Sequence, residues 1–212
     1  MAAAVSTSSS IPKLIVFDLD ECLWSPEMYQ LDEIPNADKS CIRGMLGRSG
    51  KEGVVGVKSG RATVQLHPGA MLALQEFYNG KYPGMRIAAA SSADTPHAVK
   101  IGRASLGLLE VVPGVTVRQV FNQGWDEGFE GNMQIGRTPP LSSRKEVTHF
   151  PILKEHTGIA YEDMLFFDDC NWGDHVGNVK RTCGVVGHRT PHGLQEDDWI
   201  AGLKLYAESK LR

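Results

Sequence analysis

The chain has 212 residues, room for one domain with a sizeable core or for one domain carrying a small insertion. Its 22 Lys and Arg against 25 Asp and Glu leave a formal charge of -3, with no global basic field, which argues against nucleic acid as the main partner. No apolar stretch approaches the roughly 20 residues that a membrane-crossing helix needs, so the sequence reads as a soluble protein without a membrane partner.

Residues 1–10 are small and polar, lack the basic start and apolar centre of a secretory signal, and read as a disordered tail ahead of a single domain over 11–212. The cysteines, Cys22, Cys41, Cys170 and Cys183, show neither zinc nor disulfide-framework spacing. Reduced thiols fit a cytoplasmic protein, with organellar import left open.

The first element is the run Leu14-Ile15-Val16-Phe17, which stops at Asp18-Leu19-Asp20. A short apolar β-branched and aromatic run predicts a strand buried on both faces of a parallel sheet. Side chains at i and i+2 leave a strand on one side, so Asp18 and Asp20 are expected to share one space at its carboxyl end, where open α/β sheets bind ligands. Two carboxylates about 4–5 Å apart repel by roughly 3–4 kcal/mol at an effective dielectric near 20, so a fold that keeps both ionised needs a cation or a proton.

Residues 25–66 follow as a polar insertion, read as a flexible flap or hairpin. Within it, residues 40–63 carry Arg43, Arg48, Lys51, Lys58 and Arg61 against Glu52, a balance of +4, which either guides an anionic substrate or belongs to a solvated loop. Pro68 opens a helix through Tyr78, a proline at the first helical position having no hydrogen bond to lose. A strand over 85–90 then runs into Ser91-Ser92-Ala93-Asp94, hydroxyls and free backbone N–H groups ahead of a helix over about 95–106. Such a turn holds a phosphate oxygen or simply caps the helix.

A weak strand is predicted over 117–121, then a second loop insertion over 122–143, a helix over 144–156 and a strand over 164–168. That strand ends in Asp168-Asp169, a second apolar run closing on paired acids, which predicts one shared site. Hard oxygen ligands of this kind suit magnesium. A short helix over 172–180, a strand over 184–187 and a helix over 197–210 complete an alternation that predicts a doubly wound parallel α/β sheet.

The blocks Phe17-Asp18-Leu19-Asp20-x-x-Leu23-Trp24, Gln65-Leu66-His67-Pro68-Gly69, Ala88-Ala89-Ala90-Ser91, Val147-Thr148-His149-Phe150 and Phe166-Phe167-Asp168-Asp169 stand in one order along most of the chain. In that order the chain resembles the haloacid dehalogenase superfamily, and within it the small magnesium-dependent phosphatases without a large cap domain. The resemblance implies a Rossmann-like core and a phosphomonoesterase that uses Mg2+. It implies Asp18 as nucleophile through an aspartyl-phosphate and Asp20 as proton donor and then base. Metal ligands would be Asp18, the Asp20 carbonyl and an acid of the pair Asp168 and Asp169, with Asp169 preferred. Ser91, Lys145 and the N–H groups of Leu19 and Ser92 would hold the phosphoryl oxygens.

Two positions depart from the family's pattern. Cys22 stands where Thr is common, and Glu146 precedes Val-Thr-His-Phe where the lysine usually stands, so that Lys145 lies one residue early with Arg144 as its substitute. The resemblance implies phosphotyrosine-like or sugar phosphates as substrates, small molecules or phosphoproteins alike, without choosing between them. It does not fix the oligomeric state. Trp24, Trp125 and Phe129 either stack on a leaving group or anchor packing. Two other readings stand beside this one. The fold is retained as a phosphate-binding or interaction module without turnover, or Cys183 and Arg189, six apart, form a thiol phosphatase loop.

Overall fold

In this computed structural model, which describes residues 10–211, β1 (Leu14–Phe17) has every side chain buried. Alternate residues enter two separate cores: Ile15 and Phe17 face one, Leu14 and Val16 the other. A strand covered on both sides has no solvated face, and that is why its sequence is continuously apolar. Of the tail expected over residues 1–10, residues 1–9 lie outside the described residues.

Beyond β1 the chain enters β2 (Trp24–Ser25), a short α1 (Ala37–Ser40), β3 (Cys41–Met45), β4 (Glu52–Ser59) and β5 (Ala62–Leu66). The segment expected to be a flexible flap is thus a second, antiparallel sheet in the order β2-β5-β4-β3, with Val54, Val57 and Val64 buried in the larger core. Its glycines hid this, because Gly44, Gly53 and Gly56 interrupt the apolar alternation that marks a strand.

The remaining elements are α2 (Pro68–Tyr78), β6 (Arg86–Ser91), α3 (Pro96–Leu106), the hairpin β7 (Glu110–Val112) and β8 (Val115–Thr116), α4 (Val117–Asn122), β9 (Met133–Ile135), α5 (His149–Thr157), β10 (Met164–Asp168), α6 (His175–Cys183), β11 (Val186–Arg189) and α7 (Glu196–Ser209). The main sheet has the order β11-β10-β1-β6-β9 with every pairing parallel. This is the doubly wound α/β arrangement that the alternation predicted. α2, α3, α4 and α7 contribute to the core on one face, α5 and α6 to that on the other. Gly202 lets α7 lie close to the sheet, since a Cβ there would meet the Phe167 ring at 2.4 Å.

Several local expectations fail for physical reasons. Residues 117–121 form α4 and not a strand: Val117, Val120 and Phe121 bury one helical face, and a capping box links Thr116 and Gln119. The second insertion contains β9, the edge strand of the main sheet, too short at three residues to announce itself. The helix expected from 144 begins only at His149, and the one expected from 172 begins at His175 behind an Asp174 cap. Among the described residues no helix is long and apolar enough to cross a membrane.

Candidate active site

Register decides which strand ends meet. Phe17 pairs with Phe167 on one side and Ala89 on the other, so the carboxyl ends of β1, β10 and β6 fall within two residues of one another in the sheet. Asp18 N–H donates to the Phe167 carbonyl at 2.9 Å, carrying the pairing one residue past β1. The next residues, Asp18, Asp168 and Asp169, bring one carboxylate oxygen each within 4.8 Å of the others. Beyond each acidic pair the chain turns through a left-handed residue that is not glycine, Glu21 at φ 52° and Cys170 at φ 59°. Such conformations cost of order 1–3 kcal/mol and persist where the surroundings hold them. At Cys170 part of that hold is its N–H, which donates to Asp168 Oδ1 at 2.8 Å.

Lys145 bridges two members of this cluster, Asp18 and Asp168. Its ammonium lies 2.8 Å from Asp18 Oδ1 and 2.6 Å from Asp168 Oδ2, and the side chain is 1 % exposed. The delayed start of α5 makes this possible: residues 145–148 form turns, and α5 is joined to them by the Phe150 N–H to Lys145 carbonyl bond of 3.0 Å. A regular helix from 144 would have fixed Lys145 by the 100° step from its neighbours. Arg144 instead extends into solvent and pairs with Glu146 at 2.9 Å.

The electrostatics follow from this geometry. Burial alone would lower the Lys145 pKa, but the facing charges of Asp168 and Asp18 outweigh it and hold the ammonium protonated. Burial pushes Asp18 well above the ordinary carboxylate range, Lys145 opposes this, and Asp168 and Asp169 add to it. Burial, followed by the Asp168 charge, pushes Asp169 up to about 6. Three carboxylates around one ammonium leave the cluster short of positive charge.

Asp20 stands apart from the cluster, so the expected convergence of four acids reduces to three. Its carboxylate accepts from the Trp24 indole N–H at 3.1 Å, and burial pushes its pKa up to about 7, with the Glu27 charge adding to the rise. Trp24 is fully buried, a packing anchor that also orients Asp20. Behind the loop, Cys22 is buried and its sulfur accepts from the Thr190 hydroxyl at 3.3 Å, so the thiol here receives support instead of giving it.

Ser91 is buried at the end of β6, and its carbonyl accepts from Gly136 N–H at 2.8 Å and bonds His149 Nε2 at 3.1 Å. Asp18, Asp20, Ser91, Ser92, Lys145 and Asp169 all line one cavity of about 270 Å3. Leu19 is buried in the larger core, and Asp168 lies beneath the cavity with no exposed surface.

The sequence reading missed other parts of the wall. Glu27, Tyr29, Arg137, Trp172 and His175 line the cavity as well. Trp172 is 70 % exposed, gives its indole N–H to both Glu27 oxygens at 2.8 and 3.0 Å, and meets Tyr29 edge-on at 6.3 Å. Nothing periodic marks such residues, and an exposed Trp in an acidic loop was the one available signal. The flap's cations Arg43, Arg48, Lys51, Lys58 and Arg61 do not line the cavity, and Arg48 pairs instead with Glu196 on α7. Trp125 and Phe129 stack on each other at 4.8 Å, with Trp125 bonded to the Ile87 carbonyl, away from the site. Cys183 closes α6 and donates to the Glu146 carbonyl, while Arg189 ends β11 and pairs with Asp174, so the two share no phosphate loop.

A family model described as Acid Phosphatase matches residues 10–209. Among solved structures the chain is similar to the N-terminal, phosphatase-containing part of the protein BF1531 from Bacteroides fragilis, complexed with Mg, at 15% identity and a TM-score of 0.45. That match covers 92% of this chain and 40% of the other, so the chain spans less than half of that relative's length. It is also similar to CbbY from Rhodobacter sphaeroides in complex with phosphate, at 12% identity and a TM-score of 0.46, covering 85% of this chain and 87% of that one. No curated protein matches it.

Proposed function

This chain belongs to the acid phosphatase family, a haloacid-dehalogenase-like group of phosphatases, and we propose that it hydrolyses phosphomonoesters with Mg2+ through an aspartyl-phosphate on Asp18. The observation that carries the reading is the Asp18, Asp168 and Asp169 cluster around the buried Lys145 ammonium at the carboxyl end of β1 and β10.

In the first half-reaction an Asp18 oxygen forms a bond to phosphorus as the bond to the leaving oxygen breaks. Asp20 hands its proton to that oxygen, a task suited to a carboxyl held near 7. In the second half Asp20 takes a proton from water as that water's oxygen bonds to phosphorus. The bond to Asp18 breaks, and inorganic phosphate leaves. Lys145, Ser91 and the N–H groups of Leu19 and Ser92 hold the phosphoryl oxygens throughout, mainly a positioning and electrostatic task.

The donor set fits a divalent hard cation. Asp168 already gives both oxygens to Lys145 and Cys170, whereas among the described residues Asp169 uses only Oδ2, toward Asn171 N–H at 3.2 Å. Asp169, Asp18 and the Asp20 carbonyl are therefore the ligands we assign, with Asp168 as the anchor of Lys145. Bound there, Mg2+ supplies charge that lets an anionic ester approach an anionic nucleophile.

Turnover of 4-nitrophenyl phosphate tests the reading. Activity is expected with Mg2+, lost in excess EDTA and restored by added Mg2+, and at least a thousandfold lower in Asp18→Asn. Full activity of Asp18→Asn, or activity that survives EDTA, rejects it.

A further inference from the structure

The rim of the cavity carries a cation that the steps above do not use. Arg137 lies two residues past β9 and lines the same cavity as Asp18 and Lys145. It is exposed, whereas Lys145 is 1 % exposed and already shared between Asp18 and Asp168. Lys145 therefore belongs to the floor, within reach of the transferred group, and Arg137 to the edge, where the rest of the substrate has to lie.

Arg137 is also held in place from two sides. The preceding Gly136, at φ 126°, donates its N–H to the Ser91 carbonyl at 2.8 Å, which fixes the backbone. The guanidinium gives Nε–H to the Ser92 carbonyl at 2.6 Å, its sole hydrogen bond among the described residues, so the Nη donors keep their capacity. A planar fork whose rotamer is already fixed loses little entropy on binding and suits the two oxygens of a carboxylate or phosphoryl group. The other charged rim residues are Glu27 and Asp94, both of which repel such a group.

From this we infer that Arg137 is a specificity residue, which selects phosphomonoesters whose alcohol part carries a second anionic group, a carboxylate or another phosphoryl. The inference rests on the phosphatase reading and adds the substrate class. Glu27 makes no ion pair with Arg137 among the described residues, its two oxygens accepting instead from the Trp172 indole N–H.

The test compares kcat/KM with Mg2+ for phenyl phosphate, 4-carboxyphenyl phosphate and 1,4-phenylene bisphosphate. In Arg137→Gln the loss on at least one charged ester is expected to exceed that on phenyl phosphate about tenfold or more, mainly through KM, and Arg137→Lys should recover part of the difference. Which charged ester responds identifies carboxylate or phosphoryl as the recognised group. An equal loss on all three overturns the inference, because it places Arg137 on the transferred phosphoryl or on the Ser92 turn, and so does no loss on any. Failure of the unaltered protein to turn over all three esters rejects the phosphatase reading itself. Turnover of phenyl phosphate with an unchanged charged-to-uncharged ratio rejects only the role of Arg137.

Discussion

Lys145 shows what a buried ammonium does between two acids. Its partners Asp18 and Asp168 are themselves 10 % and 0 % exposed at the side chain, so removing the cation leaves uncompensated charge in the interior. Lys145→Met is expected to lower stability by about 3–5 kcal/mol in urea denaturation without metal, and adding Asp168→Asn should return part of it. If the double variant is no more stable than the single one, Asp168 is not the charge being balanced. The acids and this lysine were legible because strand ends and motif order announce them. Glu27, Tyr29, Arg137 and Trp172 were not, since exposed residues on irregular loops obey no hydrophobic period and only the folded chain brings them to one wall.

At the scale of elements, the junction of β6 with α5 carries a pH dependence. His149 is fully buried at the start of α5, with Nε2 on the Ser91 carbonyl and Nδ1 3.1 Å from the Thr148 hydroxyl. Burial, followed by the charge of nearby Lys145, lowers its pKa to about 4, while His175 also disfavours the proton and the Ser91 and Gly136 backbone favours it. In the unfolded chain a histidine titrates near 6.5. Between these values the unfolded state binds more protons, so this contribution is fully present above about 6.5 and is lost as pH falls toward 4. Urea denaturation at pH 7, 6 and 5 should show the parent losing stability more steeply than His149→Gln, approaching about 3 kcal/mol of difference near pH 4. Parallel slopes would mean that His149 takes its proton in the folded state as easily as in the unfolded one. The same scale explains which elements the sequence disclosed. β1, β6 and β10 are buried on both faces and read as unbroken apolar runs, whereas β9 has three residues and α4 has six, lengths at which strand and helix periods cannot be told apart.

The whole molecule is one parallel sheet shared by two cores of unequal size. The larger gathers α2, α3, α4, α7 and the antiparallel sheet, so what read as a charged flap is in part core, and its cations have no place at the cavity. The smaller has Phe150 and Leu153 of α5 and Val176 and Val179 of α6 against Leu14, Val16, Ala88, Ala90, Met164 and Phe166. The Phe166 ring of that layer is centred 5.6 Å from the Lys145 ammonium, and His149 opens α5, which the layer packs. Thin layers open before whole domains do, so catalytic competence and chain collapse need not be lost together. In rising urea, phosphate release should vanish at a concentration where far-ultraviolet dichroism is still largely native, and deuterium should enter α5 and α6 before α2 and α7. Coincident loss of both signals would mean that the two cores melt as one unit, and the shared sheet would then be a cooperative spine instead of a partition.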